Sequence, residues 1–328
     1  MSHSQVEEPN YVIQKTSQKI KIDGVGDDPA WESANLITNF HQHFPADSIG
    51  AEDDTEVRIL FDDKNLYIHF ICHYSLEEDY VISSLRRDFS WNRNNNIAFY
   101  LGTFMDRANG FGFYLTPAGV ERESLVRLGG STDDSWDNRW KSGVTRHEGY
   151  WEGEMAIPFT SIRYKDGAQH WNINILRHNV TRNERSVWGA VPQGFRPSSL
   201  VFAQPVEFAE PLPKTGLNVA VIPYLSGQMQ HETFEGDSPE YDWNAGFDAK
   251  FAITPSLNLD MTVNPDFSQV EVDRQVTNLS RFELFFPERR QFFIENQDLF
   301  GDFGTGRTNP FFSRRIGIGR DTLTDQIV

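Results

Sequence analysis

A single cysteine, Cys72, is present in the 328-residue chain. No intrachain disulfide can form, and cysteine usage leaves the redox compartment open. Cys72 stands with the apolar run Leu66 to Ile71, which makes it a buried, inert thiol. No window approaches the roughly 20 apolar residues of a membrane-spanning helix. Met1-Ser2-His3-Ser4-Gln5 carries no apolar core of a secretory leader. Basic clusters are lacking too: 30 Lys and Arg stand against 47 Asp and Glu, a formal charge of -17. A nucleic-acid binder needs a Lys/Arg face, so nucleic acid is excluded as a partner, and the acidic surplus suits solubility or bound Ca²⁺. Walker loops, Rossmann glycine sets, nucleophile elbows and HExxH are all missing. So is any long 3.6-residue period.

What is present is aromatic and turn-rich. Phe, Trp and Tyr make up 13% of the chain, with 24 Gly and 16 Pro, a composition that favours many short strands. Thr55, Val57, Ile59 and Phe61 alternate with Glu56 and Arg58. Asp62-Asp63-Lys64-Asn65 then turns the chain into a returning strand, Leu66 to His73. Further strands are expected at 96–102, 111–116, 120–127, 143–146, 150–156 and 171–177, and a short helical turn at Ala30–Ala34 with Pro29 at its start. Short strands so spaced predict a sandwich or barrel. Residues 1–18 read as a loosely ordered segment and 19–208 as an antiparallel β-sandwich, jelly-roll-like in type. A Pro-rich connector over Phe202 to Gly216 sets the boundary, and 209–328 reads as linker and the first hairpins of an incomplete transmembrane-type β-barrel. In that part Phe247, Ala249, Phe251 and Ile253 alternate with polar neighbours, and Leu257, Leu259, Met261 and Val263 do the same after Thr254-Pro255-Ser256. One apolar and one polar face is the pattern of a barrel with lipid outside and water inside, and equally of a soluble sheet over a core. The aromatic and charged stretch Phe282 to Phe293 and the run Phe311 to Arg315 lead to the expectation that the natural protein continues past Val328.

Several stretches carry a resemblance. Ile22-Asp23-Gly24, Asp27-Asp28-Pro29-Ala30-Trp31, Thr55-Glu56-Val57-Arg58, Asp63-Lys64-Asn65-Leu66-Tyr67-Ile68, Gly149 to Pro158 and Trp171-Asn172-Ile173-Asn174 with Arg177, Arg182 and Trp188 resemble family 9 carbohydrate-binding modules. The cover is about residues 18–208. Asn264-Pro265-Asp266-Phe267-Ser268-Gln269-Val270-Glu271, Phe285 to Arg290 and Ser313 to Gly317 resemble the start of an uncharacterised outer-membrane barrel domain of Gram-negative bacteria. The resemblance implies a β-sandwich that binds sugar chains between tryptophans and carries structural calcium. At Asn94-Asn95-Asn96 and Gly102 the chain departs from the acidic residues which that pattern leads one to expect.

A sugar site needs flat aromatic faces and planar polar groups. Trp91, Trp136 and Trp140 lie in polar, turn-like surroundings, with Arg93, Asp106 and Asp137 near them in sequence, and these are the carbohydrate-binding candidates. The alternative for the tryptophans is packing at the sandwich edge. Trp31, Trp151, Trp171 and Trp188 lie in framework motifs and read as core. Asp27, Asp28 and Asp63, among loop aspartates that also include Asp23, Asp53, Asp54 and Asp62, are candidate calcium ligands, and turn formation explains the same residues. His41-x-His43 could open a zinc site, but nothing completes it, and it reads as loop. Glu152 and Glu154 share a strand face and could serve as a hydrolytic pair. The stronger reading is a solvated or ion-paired face. The expected function is non-catalytic binding of a polysaccharide or oligosaccharide by a sandwich attached to an outer-membrane barrel, at the outer membrane, periplasm or cell surface, with the C-terminal part touching lipid. The departures at Asn94-Asn95-Asn96 and Gly102 motivate a plug or docking domain without sugar ligand, and the carboxylate pair motivates a glycoside hydrolase.

Overall fold

Alternating apolar residues lay out the chain. The computed structural model describes residues 11–47, 49–74, 80–134, 136–213, 218–230, 240–254 and 257–264. It divides into two units, Met1–Gly216 and Leu217–Val328. The strands of the first are β1 (Tyr11–Lys15), β2 (Leu36–Ile37), β3 (His41–Phe44), β4 (Thr55–Phe61), β5 (Asn65–His73), β6 (Asn96–Gly102), β7 (Gly110–Leu115), β8 (Glu121–Arg127), β9 (Ser131–Asp133), β10 (Lys141–His147), β11 (Tyr150–Pro158), β12 (His170–Asn179), β13 (Glu184–Val187) and β14 (Gln204–Phe208). Among the described residues, helix is limited to short 3-10 turns such as Pro29–Ser33.

These strands form one curled 14-stranded sheet. Its continuous path is β10-β11-β5-β4-β1-β14-β12-β6-β7-β8-β9, with β2 on β4, β13 on β12 and β3 on β13. The halves on either side of β1 enclose a common core. Val57, Ile59, Phe61, Ile68 and Phe70 come from one half, and Ile97, Phe99, Phe113, Ile173 and Ile175 from the other. Phe70 meets Phe99 with ring centroids 6.0 Å apart, and Phe61 meets Phe208 edge-on at 5.1 Å. Each such side chain contributes about 1.5–3 kcal/mol by leaving water. Cys72 is fully buried here, and burial pushes its thiol pKa up to about 11. Arg177, on β12, staples the halves: it donates to the carbonyls of Asp53 (3.3 Å), Asp54 (2.9 Å) and His73 and to Thr55 Oγ1 (3.1 Å).

Four expectations are corrected. Tyr11–Lys15, within the segment read as loosely ordered, is a strand whose Tyr11 and Ile13 are buried. It pairs in parallel with both β14 and β4, so the sheet is not purely antiparallel. Gln204–Phe208, within the expected connector, is also a sheet strand, with Val206 and Phe208 fully buried. His41–Phe44 is a strand against β13 rather than loop.

In the second unit, β15 (Asn218–Gln230), β16 (Glu240–Thr254) and β17 (Leu257–Val263) form an antiparallel sheet. The expected alternation is there, with Phe247 opposite Val263, Ala249 opposite Met261 and Phe251 opposite Leu259. Val221, Leu225, Met229, Tyr241, Trp243, Leu259, Met261 and Val263 occupy that same face, and all are exposed. Ser226, Asn244, Asp248, Asp260 and Thr262 alternate with them. No helix among the described residues is long and apolar enough to cross a membrane. The stretches from Pro265 onward, including Phe282 to Phe293 and Phe311 to Arg315, lie outside the described residues.

Candidate functional site

Tyr100 on β6, Tyr114 on β7 and Leu176 on β12 point away from the main core. With Ala98, Val187 and Leu200 they build a second cluster on the outer face of that half of the sheet. A cleft of about 340 Å³ opens over this floor, within the size range of small-ligand sites. Trp91 and Phe195 line it with aromatic surface; Trp91 is half-buried and Phe195 is 53% exposed. His43 and Arg185, from the paired strands β3 and β13, form one side. Gln193, Arg196 and Ser198 contribute polar groups from the 193–198 segment, which forms a further wall of the cleft.

That wall is fixed. Gln193 donates its backbone N–H to Asp47 Oδ2 (3.2 Å) and its amide to the Pro45 carbonyl (2.5 Å). Ser198 Oγ donates to the Gly130 carbonyl at 2.6 Å. Gly130 has φ +76°, and a Cβ there would lie 2.7 Å from Ser199 N, so the close approach needs glycine. His43 Nε2 lies 2.9 Å from the Phe195 carbonyl, which makes it the protonated ring nitrogen, while the buried Nδ1 has no protein partner. Burial, aided by nearby Arg185, holds the His43 pKa below the usual 6.5, so the ring is neutral at pH 7. The unfolded ring takes a proton more readily. The stability His43 contributes is therefore present above pH 6.5 and lost as pH falls through the folded pKa. Burial likewise raises the Tyr100 and Tyr114 hydroxyls, which remain protonated.

Of the carbohydrate-binding candidates only Trp91 lines this cleft; His43, considered as a zinc ligand and read as loop, lines it as well. Arg93 is exposed and lies outside it. Trp136 packs at 5.1 Å on Phe111 and 6.0 Å on Phe113. Trp140 is 7% exposed, stands edge-on to Phe113, and donates its indole N–H to Glu123 Oε2 at 3.1 Å. Neither Trp136 nor Trp140 borders the cleft. Asp137 is exposed beside Arg87 at 3.6 Å. Asp106 closes the turn between β6 and β7 by accepting from the N–H groups of Ala108 (2.8 Å) and Asn109 (3.0 Å). Burial works against its ionisation, but those donors outweigh it and hold its carboxyl below the usual range.

The calcium candidates do not converge. Asp63 pairs with Lys15 at 3.0 Å, and Asp28 accepts the Lys21 N–H at 2.7 Å. Among the described residues no three His, Cys, Asp or Glu side chains group as a metal site. Asp27, Asp28 and Asp63 therefore do not fit a bound cation as a set.

Glu152 and Glu154 are not solvated, and the ion-paired reading holds only for Glu152, beside His69 and His147. Glu154 is fully buried. Its Oε2 accepts the N–H groups of Asp23 and Gly24, both at 3.1 Å, and its Oε1 accepts Trp31 Nε1 at 3.0 Å. Burial pushes its carboxyl up, and the donors offset part of that. Glu152 holds the Gly26 N–H (3.0 Å) and lies 3.1 Å from His69 and 2.8 Å from His147. Burial opposes its ionisation, but the Gly26 N–H and the two imidazoles prevail and keep its pKa low. The pair clamps the Asp23–Gly26 loop onto the sheet, and all four carboxylate oxygens are engaged.

The first unit is all-β, and one outer sheet face opens into an aromatic-edged cleft. By sequence, residues 215–326 match a family described as a domain of unknown function (DUF5916). No curated protein matches the chain. Among solved structures, the chain is similar to a candidate carbohydrate-binding protein from Bacteroides uniformis, with a TM-score of 0.48 and 13% identity over 60% of this chain and 97% of that one. It is also similar to a family 9 carbohydrate-binding module from Caldicellulosiruptor kristjanssonii in complex with cellotriose, with a TM-score of 0.42 and 12% identity over 62% and 94%. A third similar structure is such a module from the same organism in complex with glucose, with a TM-score of 0.41 and 13% identity over 63% and 99%.

Proposed function

We propose that the first unit binds a saccharide, without cleaving it, in the cleft edged by Trp91 and Phe195. The carrying observation is that these two rings, neither of them buried, border the same 340 Å³ space with His43, Arg185, Gln193 and Arg196 around it. Aromatic faces take the apolar side of a pyranose, and the polar groups take its hydroxyls. The motifs shared with family 9 carbohydrate-binding modules support the same reading. Calorimetric titration of an oligosaccharide panel tests it. Trp91→Ala will raise the Kd of the bound sugar about 30-fold, the loss of one central anchor worth about 2 kcal/mol. No binding across the panel, or binding indifferent to Trp91→Ala, removes the proposal; in the first case a fixed co-purifying protein partner would put a docking role in its place.

The second unit is proposed to seat its sheet in the bacterial outer membrane. Leu225, Met229, Tyr241 and Trp243 are each more than 60% exposed, at 70%, 63%, 66% and 71%, on one apolar face whose reverse carries Ser226, Asn244, Asp248, Asp260 and Thr262, together with Ile222. Lipid against one face and water against the other is the environment of a barrel wall. The chain will float with lipid vesicles and resist extraction by carbonate. Quantitative recovery in the soluble fraction would defeat this reading.

A further inference from the structure

Acidic residues outnumber basic ones 47 to 30 in this chain, yet among the described residues no Asp or Glu lines the cleft. Arg185 and Arg196 do. Among the described residues, neither guanidinium forms an ion pair with a carboxylate. Arg185 lies 4.8 Å over the Phe44 ring, and burial depresses its pKa with no carboxylate to offset it. Two nearby acidic groups are bound to other donors. Asp47 accepts the Gln193 N–H at 3.2 Å, and Asp134 pairs with Arg122 at 2.6 Å. For Arg185, which is partly buried, the lack of a counter-charge is costly, and in so acidic a protein a carboxylate partner was readily available. The missing negative charge therefore belongs to the ligand. The unpartnered Nδ1 of His43, 3% exposed, adds an acceptor suited to a hydroxyl on the same molecule.

We infer that the cleft selects an acidic saccharide, a glycan with a uronosyl unit whose carboxylate is held by Arg185 and Arg196 while His43 Nδ1 accepts a ring hydroxyl. This rests on the saccharide reading of the cleft. The arginine fork matches a carboxylate in a plane, and a charged partner strengthens each hydrogen bond. The experiment is calorimetric titration of the whole 328-residue chain with a glucuronosyl oligosaccharide, its neutral glucosyl counterpart and a sulfated counterpart. The glucuronosyl sugar will bind about 10- to 100-fold tighter than the neutral one. Added salt will narrow that margin. Arg196→Gln, at an exposed position where folding is not at stake, will reduce the preference about 10-fold, and Arg185→Gln will do the same in samples whose unfolding transition is retained. Equal affinity for charged and neutral sugars, with both sensitive to Trp91→Ala, overturns the acidic-sugar inference and leaves the saccharide reading standing. A sulfated sugar bound as tightly as the uronosyl one overturns the carboxylate assignment. Affinity for none of the three overturns the inference together with the reading beneath it.

Discussion

Gly143→Ala will destabilise the first unit by about 3–5 kcal/mol. A Cβ at Gly143 would stand 2.4 Å from Gly24 N and 2.6 Å from the Asp23 carbonyl carbon. Both obstacles are backbone, which cannot swing aside as a side-chain tip can. Gly24 itself has φ +87°, and its own Cβ would meet Val144 N at 2.3 Å, so the two glycines let two stretches of main chain touch. Lifting the loop strips Glu154 of the Asp23 and Gly24 N–H groups and Glu152 of the Gly26 N–H. Each buried group left unsatisfied costs about 1–3 kcal/mol. The urea midpoint will drop at an unchanged m-value. Gly149→Ala is the control: φ there is +85° but nothing lies within 4 Å of the added carbon, so only the left-handed backbone penalty of about 1 kcal/mol applies. Equal losses for the two variants would mean that the loop is not docked as described.

Arg177→Ala will cost a similar amount, about 3–5 kcal/mol, because it leaves acceptors buried rather than merely deleting a contact. The 5%-exposed Arg177 gathers the carbonyls of Asp53, Asp54 and His73 and the Thr55 hydroxyl, groups that belong to the half of the sheet opposite its own strand. Arg177→Lys will recover less than half of the loss, since one ammonium cannot reproduce a planar fork of donors. Denaturant titration of both variants gives the comparison. A lysine variant as stable as the parent would show that charge alone, and not the fork, joins the halves.

Strand periodicity was the legible part of the fold. The alternation over 55–61 and the returning apolar run from Leu66 become β4 and β5 with scarcely a shifted boundary. Tyr11–Lys15 escaped because five residues give little periodicity, and Gln204–Phe208 because Pro205 and the prolines after it read as breakers. The site was legible only at Trp91. Trp140 looks solvent-facing from its neighbours Asn138 and Arg139, yet a buried glutamate on another strand, Glu123, receives its indole N–H. No local window contains that partner. Phe195 carries no distinguishing signal among 26 phenylalanines, and its role comes from the glutamine, serine and histidine bonds that hold its segment over the sheet. Turn formation accounts for part of the aspartate clusters. Asp62 Oδ1, for example, accepts the N–H groups of Lys64 and Asn65 at 2.7 Å.

The parallel seam formed by Tyr11 to Ile13 against Val206 to Phe208 brings the opening and closing strands of the first unit side by side. During synthesis the ribosome must therefore release nearly the whole unit before its sheet can close. Until then β1 has only Gln14 and Lys15 paired to β4, and an unpaired strand edge invites association between nascent chains. Loop-closure entropy over such a span makes the last step slow. Translation paused upstream of residue 204 would leave a chain that is protease-sensitive and prone to self-association, whereas one extended past residue 208 would close.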